Sequence, residues 1–272
     1  MVRLPRLPDL LTTANLCCGV TAILMAAQGN LTIACWLVFA GALFDVFDGL
    51  AARALGGGSP LGAQLDSLAD MVTFGVAPAF VVFSAASRAN GTMFDLDMLG
   101  PLGLPYPKAD MAIKAAALAL VVASCWRLAK FNLDTRQTSG FLGLPTPANG
   151  LFWVSLVLGM KGHCVHTGPG NGVLIALSDG LISTWTWLLP VTVVMAILML
   201  SEIPLPSLKF KHFRWQGNQV IYVLGGAGAV LVGLHGILAV PLILVLYILS
   251  PMWGRVFKTQ DPNLKAQDSS KA

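Results

Sequence analysis

Long runs of apolar residues, separated by short polar or glycine-rich breaks, dominate the pattern of the chain. A helix that crosses a bilayer needs about 20 mostly apolar residues. The runs therefore predict an all-α fold, a polytopic membrane bundle of about eight transmembrane helices. The predicted spans are 11–28, 31–54, 65–87, 111–131, 147–160, 182–201, 218–234 and 236–250.

Four aspartates break this pattern where the second run ends and the third begins. Asp45 and Asp48 are three positions apart, and Asp66 and Asp70 are four apart. Residues at these spacings share one face of a helix. The intervening GGGSP allows the two helices to turn back on each other, so the sequence predicts that the four carboxylates meet near one end of the bundle.

Small residues extend the same two faces. Gly49 and Ala52 continue the face of the second span, and Gly62 precedes Asp66 by four positions on the third. Glycine and alanine leave the backbone open to close approach. We expect a bulky ligand to lie against this stripe, beside the carboxylates.

The composition agrees with a membrane protein. Hydrophobic residues make up 56% of the 272 and charged residues only 11%, whereas soluble domains carry about 25% charged residues. The net charge of +4 is interpreted as a topology signal and an attraction to anionic lipids. No nucleic-acid partner is expected. We predict a single transmembrane domain over 1–258 and a polar, disordered tail over 259–272.

Neutralising the carboxylates is the central physical problem. A charged side chain at the centre of a membrane helix costs roughly 2.5–3.5 kcal/mol on insertion scales. Arg53 is the only basic residue between positions 7 and 87, and it cannot balance four aspartates. Divalent cations with a preference for oxygen ligands can, which indicates Mg²⁺ or Mn²⁺. Two such ions held by shared carboxylates are typical of displacement at phosphorus.

Two other interpretations of the aspartates remain open at this stage. They could form buried ion pairs that stabilise the bundle, although the number of cations is too small. They could also line the path of a divalent-cation transporter, whose carboxylates tend to lie near the bilayer midplane. The Gly49, Ala52, Arg53 and Gly62 positions discriminate against transport, because a bulky ligand beside the carboxylates needs them and an ion path does not.

The basic residues set the expected orientation. With a cytoplasmic N-terminus, the opposite side holds Arg88, Lys108, Lys114 and Lys161, and the other 13 of the 17 basic residues fall on the cytoplasmic side. We therefore expect a cell (cytoplasmic or inner) membrane protein with both termini and the carboxylates on the cytoplasmic side.

The spacing D-x2-D-G-x2-A-R-x8-G-x3-D-x3-D, which runs from Asp45 to Asp70, resembles the signature of the CDP-alcohol phosphotransferases. The resemblance implies a six-helix catalytic core, two divalent cations held by Asp45, Asp48, Asp66 and Asp70, and Asp70 as the general base. It also implies a homodimer. Contacts to a cytidine-diphosphate lipid would come from Asn15, Asp48, Gly49, Ala52, Arg53 and Gly62.

Three further stretches, SPLGAQLDSLADMVTFGVAP, WRLAKFNLD and FLGLPTPANG, resemble the integral-membrane phosphatidylserine synthases within that family. This similarity implies CDP-diacylglycerol and L-serine as substrates. Glycerol 3-phosphate, inositol phosphate or choline as acceptor remains an alternative. A guanidinium can bind a carboxylate with two hydrogen bonds, so candidates for binding serine are Arg127 and Arg136, together with Asn132 for the polar headgroup.

Overall fold

The structure is a computed structural model that describes residues 6–57, 59–91, 108–133, 140–160, 171–206 and 219–258. Arg136 and the predicted tail lie outside these residues. Ten α-helices account for most of the described chain. They are α1 (Leu7–Ala27), α2 (Leu31–Ala54), α3 (Pro60–Asp70), α4 (Ala77–Ala89), α5 (Lys108–Leu133), α6 (Thr146–Gly159), α7 (Asn171–Ser183), α8 (Trp185–Leu200), α9 (Gln219–His235) and α10 (Ala239–Lys258).

The first two helices form a close hairpin around Gly29, which has a φ of +88°. Such a φ favours glycine, because a Cβ would clash with the backbone. Gly41 on α2 permits the close packing, since a Cβ there would lie 2.9 Å from Asn15 Oδ1 and 2.6 Å from the methyl of Thr73. The hairpin thus brings the end of α2 beside the beginning of α1.

A π-helical turn, Met71–Val76, joins α3 to α4 directly after Asp70. Pro78 contributes to this irregularity, because it has no N–H to donate to the Phe74 carbonyl one turn earlier. Gly150 of α6 packs against that turn, and a Cβ at Gly150 would lie 2.9 Å from the Phe74 carbonyl oxygen. The π turn therefore sets how α6 approaches the residues that follow Asp70.

Helix α6 lies in the core of the bundle. Trp153 and Val154 are fully buried, and most other residues of the helix are buried too. A small antiparallel ribbon ties the segment before α6 to the segment after α8. It pairs β1 (Gly140–Leu142) with β2 (Pro204–Pro206), and in its register Phe141 lies opposite Leu205 along the backbone.

The last four helices, α7 to α10, are not straight, separate spans. Helices α7 and α8 meet at a bend of 90°. Helices α9 and α10 are joined by a 3₁₀ turn at Gly236–Leu238, and Gly236 has a φ of +57°. They fold back on each other, because a Cβ at Gly228 would lie only 3.4 Å from the Ile243 side chain, fifteen residues further on.

The prediction of a helical multi-pass membrane protein is confirmed, but eight separate spans are not. Within the described residues, five helical stretches are long and apolar enough to cross a membrane, or six if the bent α7–α8 pair counts as one. The five are Leu7–Ala27, Leu31–Ala54, Pro60–Ala89, Lys108–Leu133 and Ile221–Pro251. Helix α6, predicted as a span over 147–160, has 14 residues, which is short for a full crossing.

Candidate active site

The four aspartates lie at one end of the bundle, here called the site end. Asp45 and Asp48 are near the C-terminus of α2, and Asp66 and Asp70 lie on α3, which begins at Ser59 with a serine cap. The Ser59 hydroxyl accepts a hydrogen bond from the Gly62 N–H at 2.9 Å, which satisfies a free backbone donor at the helix start. We refer to Asp45, Asp48, Asp66 and Asp70 as the carboxylate cluster.

Three members of the cluster meet closely. Asp45, Asp48 and Asp66 each offer an oxygen, and these oxygens lie within 4.8 Å of one another. Within the described parts of the chain, the four carboxylates form no salt bridge with a lysine or arginine; the ion pair recorded there joins Lys114 to Asp110. Like charges at this spacing repel strongly in a partly buried site.

The donor set fits a divalent cation. Asp66 Oδ1 is buried and has no hydrogen-bond partner, and buried polar groups are normally paired. Carboxylate oxygens are the ligands that Mg²⁺ and Mn²⁺ prefer. The cluster of Asp45, Asp48 and Asp66 could therefore bind a metal ion; Asp70 lies outside this closest group of three.

Two residues of α1 hold the cluster in place. The Thr12 hydroxyl donates to Asp48 Oδ2 at 2.6 Å, and the Asn15 side-chain amide donates to Asp70 Oδ1 at 3.1 Å. The Thr73 hydroxyl in turn donates to the Asn15 carbonyl at 3.0 Å. Asn15 is fully buried and orients Asp70; its predicted contact with the nucleotide stays a prediction.

Sequence reasoning did not identify Thr12. Its position three residues before Asn15 places both side chains on one face of α1, and this was the available signal. Partners of this kind fix the orientation of carboxylates that bind metals.

A cavity of about 190 Å³ opens on one side of the cluster, between α1, α2 and α3. We call it the α1–α3 cavity. Its walls include the predicted stripe of Gly49, Ala52 and Gly62, with Asp48 and Asp66 at one end and Arg6 at the entrance. A Cβ at Gly49 would lie 3.8 Å from the exposed Arg53 guanidinium, so this arginine lies over the stripe.

A second cavity, of about 160 Å³, opens on the other side of the cluster, between α3, α5 and α6. We call it the α3–α6 cavity. Asp66, Asp70, Arg127 and Thr146 contribute polar groups to it. Asp66 lines both cavities, so the two spaces meet at the carboxylate cluster.

Arg127 is rigidly placed in this second cavity. It is buried, its Nε–H donates to the Leu144 carbonyl at 3.3 Å, and its guanidinium carbon lies 5.6 Å from the centre of the Phe131 ring. Asn132 is exposed and exchanges hydrogen bonds of 3.0–3.1 Å with Ser67, next to Asp66. Arg127 and Asn132 thus lie near the cluster.

Thr146 is a polar group of this cavity to which sequence reasoning assigned no individual role, although it lies in one of the stretches that carry the family resemblance. It is the first residue of α6 and is 2% exposed, yet its hydroxyl has no hydrogen-bond partner. An unpaired buried hydroxyl carries a free-energy penalty, which a polar ligand would relieve. The position of Thr146 between Pro145 and Pro147, in the stretch GLPTP, was the only sequence signal.

Comparison with known proteins identifies the class of this site. The family model for CDP-alcohol phosphatidyltransferase matches residues 6–198, and the chain belongs to that family. It is therefore a membrane enzyme of the CDP-alcohol phosphotransferase class.

Individual relatives are more specific. The chain is similar to a CDP-diacylglycerol–serine O-phosphatidyltransferase of Helicobacter pylori, with 30% identity over 219 residues, 80% of this chain and 78% of the relative. A protein of the same name in Bacillus subtilis is 35% identical over 55% of this chain and 74% of its own length. An archaetidylserine synthase of Methanothermobacter thermautotrophicus is 35% identical over 52% of this chain and 53% of its own length.

Proposed function

We propose that this enzyme transfers the phosphatidyl group of CDP-diacylglycerol to L-serine, with phosphatidylserine and CMP as products. The observation that carries the proposal is the meeting of two cavities at Asp66. One has the small-residue wall that a nucleotide needs, and the other has an arginine suited to a carboxylate. The names of the relatives support serine as the acceptor.

The α1–α3 cavity would hold the cytidine diphosphate. Gly49, Ala52 and Gly62 leave room for the nucleotide against the helices. Arg6 at the entrance and Arg53 over the stripe would contact phosphate or ribose oxygens, because guanidinium groups match phosphate geometry. Asp48 lines the same wall and would lie beside the pyrophosphate.

The carboxylate cluster would hold two divalent cations, Mg²⁺ or Mn²⁺. Asp45, Asp48 and Asp66 are the ligands that the geometry favours, and Asp70 would complete the set. When bound, these ions neutralise the negative charge of the pyrophosphate and stabilise CMP as a leaving group. The chain itself contributes the orientation of the ligands through Thr12 and Asn15.

The α3–α6 cavity would bind serine. Arg127 would bind the serine carboxylate through two hydrogen bonds, and its contacts to Leu144 and Phe131 hold the guanidinium plane in place. The Thr146 hydroxyl would contact the same amino acid and gain the partner that it lacks. Asn132, and Arg136 beyond the described residues, remain further candidates for the headgroup.

Asp70 would act as the general base. It lies on the wall of the serine cavity, and the Asn15 amide fixes one of its oxygens, which directs the other toward a substrate. The serine hydroxyl oxygen forms a bond to the lipid-side phosphorus as its proton passes to Asp70. The bond from that phosphorus to CMP breaks, and CMP leaves with the electron pair.

The proposal extends to topology and assembly. The fold-back of α9 on α10 makes two crossings of that stretch, and α7 with α8 makes one, which gives seven crossings with α1, α2, α3–α4 and α5. We propose that the short, buried α6 is the eighth, in one transmembrane domain over 1–258 with a six-helix core. The basic residues favour the cytoplasmic side of the inner membrane for both termini and the site. The family resemblance supports a homodimer.

A headgroup competition tests the function. Purified enzyme in micelles receives CDP-diacylglycerol, Mg²⁺ or Mn²⁺, and labelled serine, glycerol 3-phosphate, inositol phosphate or choline in separate reactions. We expect labelled lipid and CMP with serine alone, and none after chelation of the metal. Preferential labelling with another acceptor would reject serine, and full activity in excess chelator would reject the metal-assisted mechanism.

Serine methyl ester sharpens the assignment of the α3–α6 cavity. The ester keeps the hydroxyl and the ammonium but lacks the carboxylate that Arg127 would bind. We expect a poor acceptor with a raised KM. An ester that reacts as well as serine would show that the carboxylate is not recognised there.

A further inference from the structure

An apolar groove of about 780 Å³ lies beside the active site, at the surface between α2, α6 and the α9–α10 hairpin. Carbon atoms form nearly all of its wall. Its lining includes Val46 of α2, Pro145 and Pro147 at the start of α6, and Gly225 and Ile243 on the hairpin. The hairpin lies beyond residues 6–198, the part that matches the family model, so this wall is an addition to the family core.

The groove is continuous with the active site. Pro145 and Pro147 line both the groove and the α3–α6 cavity, and Val46 follows Asp45 directly in the chain. At the site end of the groove, Tyr247 is buried and interacts electrostatically with Arg127. A molecule with its phosphate at the carboxylate cluster could therefore extend an apolar chain into this space.

Two glycines of α9 determine the shape of the groove. A Cβ at Gly228 would lie 3.4 Å from Ile243 Cδ1, whereas a Cβ at Gly225 would meet nothing within 4 Å. The two helices of the hairpin are thus in close contact at Gly228, whereas Gly225, almost one turn earlier, borders free space. A Cβ at position 225 would therefore extend into free space at the groove wall.

We propose that the α9–α10 hairpin forms the wall of a groove for one acyl chain of CDP-diacylglycerol, with Gly225 as the residue that provides the space. This inference rests on the proposed function, since it takes CDP-diacylglycerol as the donor. Continuity with the carboxylate cluster favours the substrate chain as occupant over a bulk lipid or a second copy of the protein.

The adjacent Gly226 offers a matched control. It lies on the same helix, a Cβ there would also meet nothing within 4 Å, and it does not line the groove. Replacing either glycine with leucine changes helix propensity equally. Only Gly225→Leu places the new side chain in the groove.

The experiment compares dioleoyl and dihexanoyl CDP-diacylglycerol in detergent micelles for the wild type, G225L and G226L. A leucine at position 225 would displace the part of an acyl chain that passes this point and continues along the groove. A hexanoyl chain has far fewer carbons to lose from the groove than an oleoyl chain, and each buried CH₂ contributes to binding. For G225L we expect about a tenfold rise in KM for the dioleoyl donor, in the range caused by overpacking. The KM values for dihexanoyl donor and serine should change less than twofold, and G226L should match the wild type.

Equal effects of G225L and G226L, or an equal loss with both donors, would overturn the inference. If no protein releases CMP in the presence of serine, the proposed function fails instead. A second measurement then still tests the groove, with a CDP-diacylglycerol that carries a photoreactive group at the end of an acyl chain. We expect labelling of peptides from 219–258 that unlabelled CDP-diacylglycerol prevents. Labelling that phosphatidylcholine prevents equally well would assign the groove to bulk lipid and reject the inference.

Discussion

Both ends of the bundle have charged residues and cavities. The ends differ in whether their charged groups have hydrogen-bond partners within the protein. At the end opposite the site, a cavity of about 540 Å³ contains Arg88 and Asp179. The Arg88 guanidinium donates to the Gly29 carbonyl at 2.9 Å, and Asp179 accepts from Ser183 at 3.2 Å. These charges have protein partners: the Arg88 bond joins α4 to the turn between α1 and α2, and the Asp179 bond lies within α7.

At the site end the two cavities that meet at the carboxylate cluster are smaller, and polar groups are left without partners. Asp66 Oδ1, Asn15 Oδ1 and the Thr146 hydroxyl are buried there with no hydrogen bond. The Ser84 hydroxyl of α4, next to Ala85 in the wall of the larger cavity, also lacks a hydrogen bond, so unpaired neutral groups do not distinguish the two ends. The charged groups do: a buried Asp66 oxygen without a partner belongs to a residue that lines both site cavities, whereas Arg88 and Asp179 have partners. A carboxylate oxygen left unpaired at a stability cost marks the end where a ligand completes the structure.

The largest expected effect is the loss of activity in Asp66→Asn. Asp66 lines both cavities and belongs to the closest carboxylate group, so its charge is needed for the metal. We expect turnover to fall below detection, because removing a group that stabilises transition-state charge costs roughly 10²–10³-fold on its own and this change also removes a metal ligand. CMP release measures it.

Asp179→Asn is the control from the other end, and it should retain activity within about twofold, as surface changes usually do. Comparable losses in the two variants would remove the distinction between the ends.

The second prediction concerns Asp70→Asn. We expect kcat to fall by roughly 10²–10⁴-fold, which is the range for the loss of a general base. Asparagine keeps an oxygen for the Asn15 amide, so the local geometry should persist. The KM for CDP-diacylglycerol should change little. If donor binding is lost together with turnover, Asp70 serves mainly as a metal ligand, and near-normal kcat would place the base elsewhere.

The third prediction tests the role of Thr12. Thr12→Val removes the 2.6 Å hydrogen bond to Asp48 but keeps the shape of the side chain. We expect the metal concentration for half-maximal activity to rise by roughly 10–100-fold, as for other partners of metal ligands. Thr13→Val is the matched control, because each hydroxyl bonds to a carbonyl four residues earlier in α1, Pro8 for Thr12 and Asp9 for Thr13. An equal shift in both variants would argue for a general effect on α1.

Arg127→Lys should have a smaller effect, confined to the acceptor. A lysine keeps the charge but loses the planar pair of donors, so the serine KM should rise about tenfold. The KM for CDP-diacylglycerol should stay near the wild-type value. Lys130→Gln, one turn further along α5 and exposed, should leave both KM values unchanged; an unchanged serine KM in Arg127→Lys would move serine recognition to other residues.

The smallest effect is expected at the other end. Arg88→Met removes the hydrogen bond from the guanidinium to the Gly29 carbonyl, and this bond is exposed. Because an exposed hydrogen bond contributes little, the free energy of unfolding should fall by only about 1 kcal/mol. Thermal unfolding in detergent should show the loss, with kcat unchanged. A fall in kcat without a change in stability would mean that this end takes part in the reaction.

The sequence was sufficient for the parts of the site that depend on helix periodicity. The spacing of the aspartates and the glycine stripe places these residues on two facing helices, as found for Asp45, Asp48 and Asp66. Contacts between distant segments were not accessible in this way. The bond from Thr12 to Asp48 spans 36 positions. Thr146 joins the site because α6 packs against the π turn and because the segment before α6 bonds to residues after α8.

The membrane-crossing pattern was partly predictable for a related reason. Apolar composition identifies helices that face lipid, but it does not separate them from a buried core helix such as α6. It also does not report a 90° bend like that between α7 and α8, because Thr184, where the bend falls, is an ordinary polar residue. The hydropathy pattern therefore overstates the number of separate long spans.

The β1–β2 ribbon has a consequence for the order of biosynthesis. The Gly143 N–H bonds to the Ile203 carbonyl at 2.9 Å, and the Leu144 N–H bonds to the Leu198 carbonyl at 3.0 Å, while the Leu144 carbonyl accepts from Arg127. The wall that carries Thr146 is thus held by residues made about 60 positions later. A nascent chain can assemble the carboxylates of α2 and α3 early, but the serine side of the site is completed only after the ribosome has passed β2.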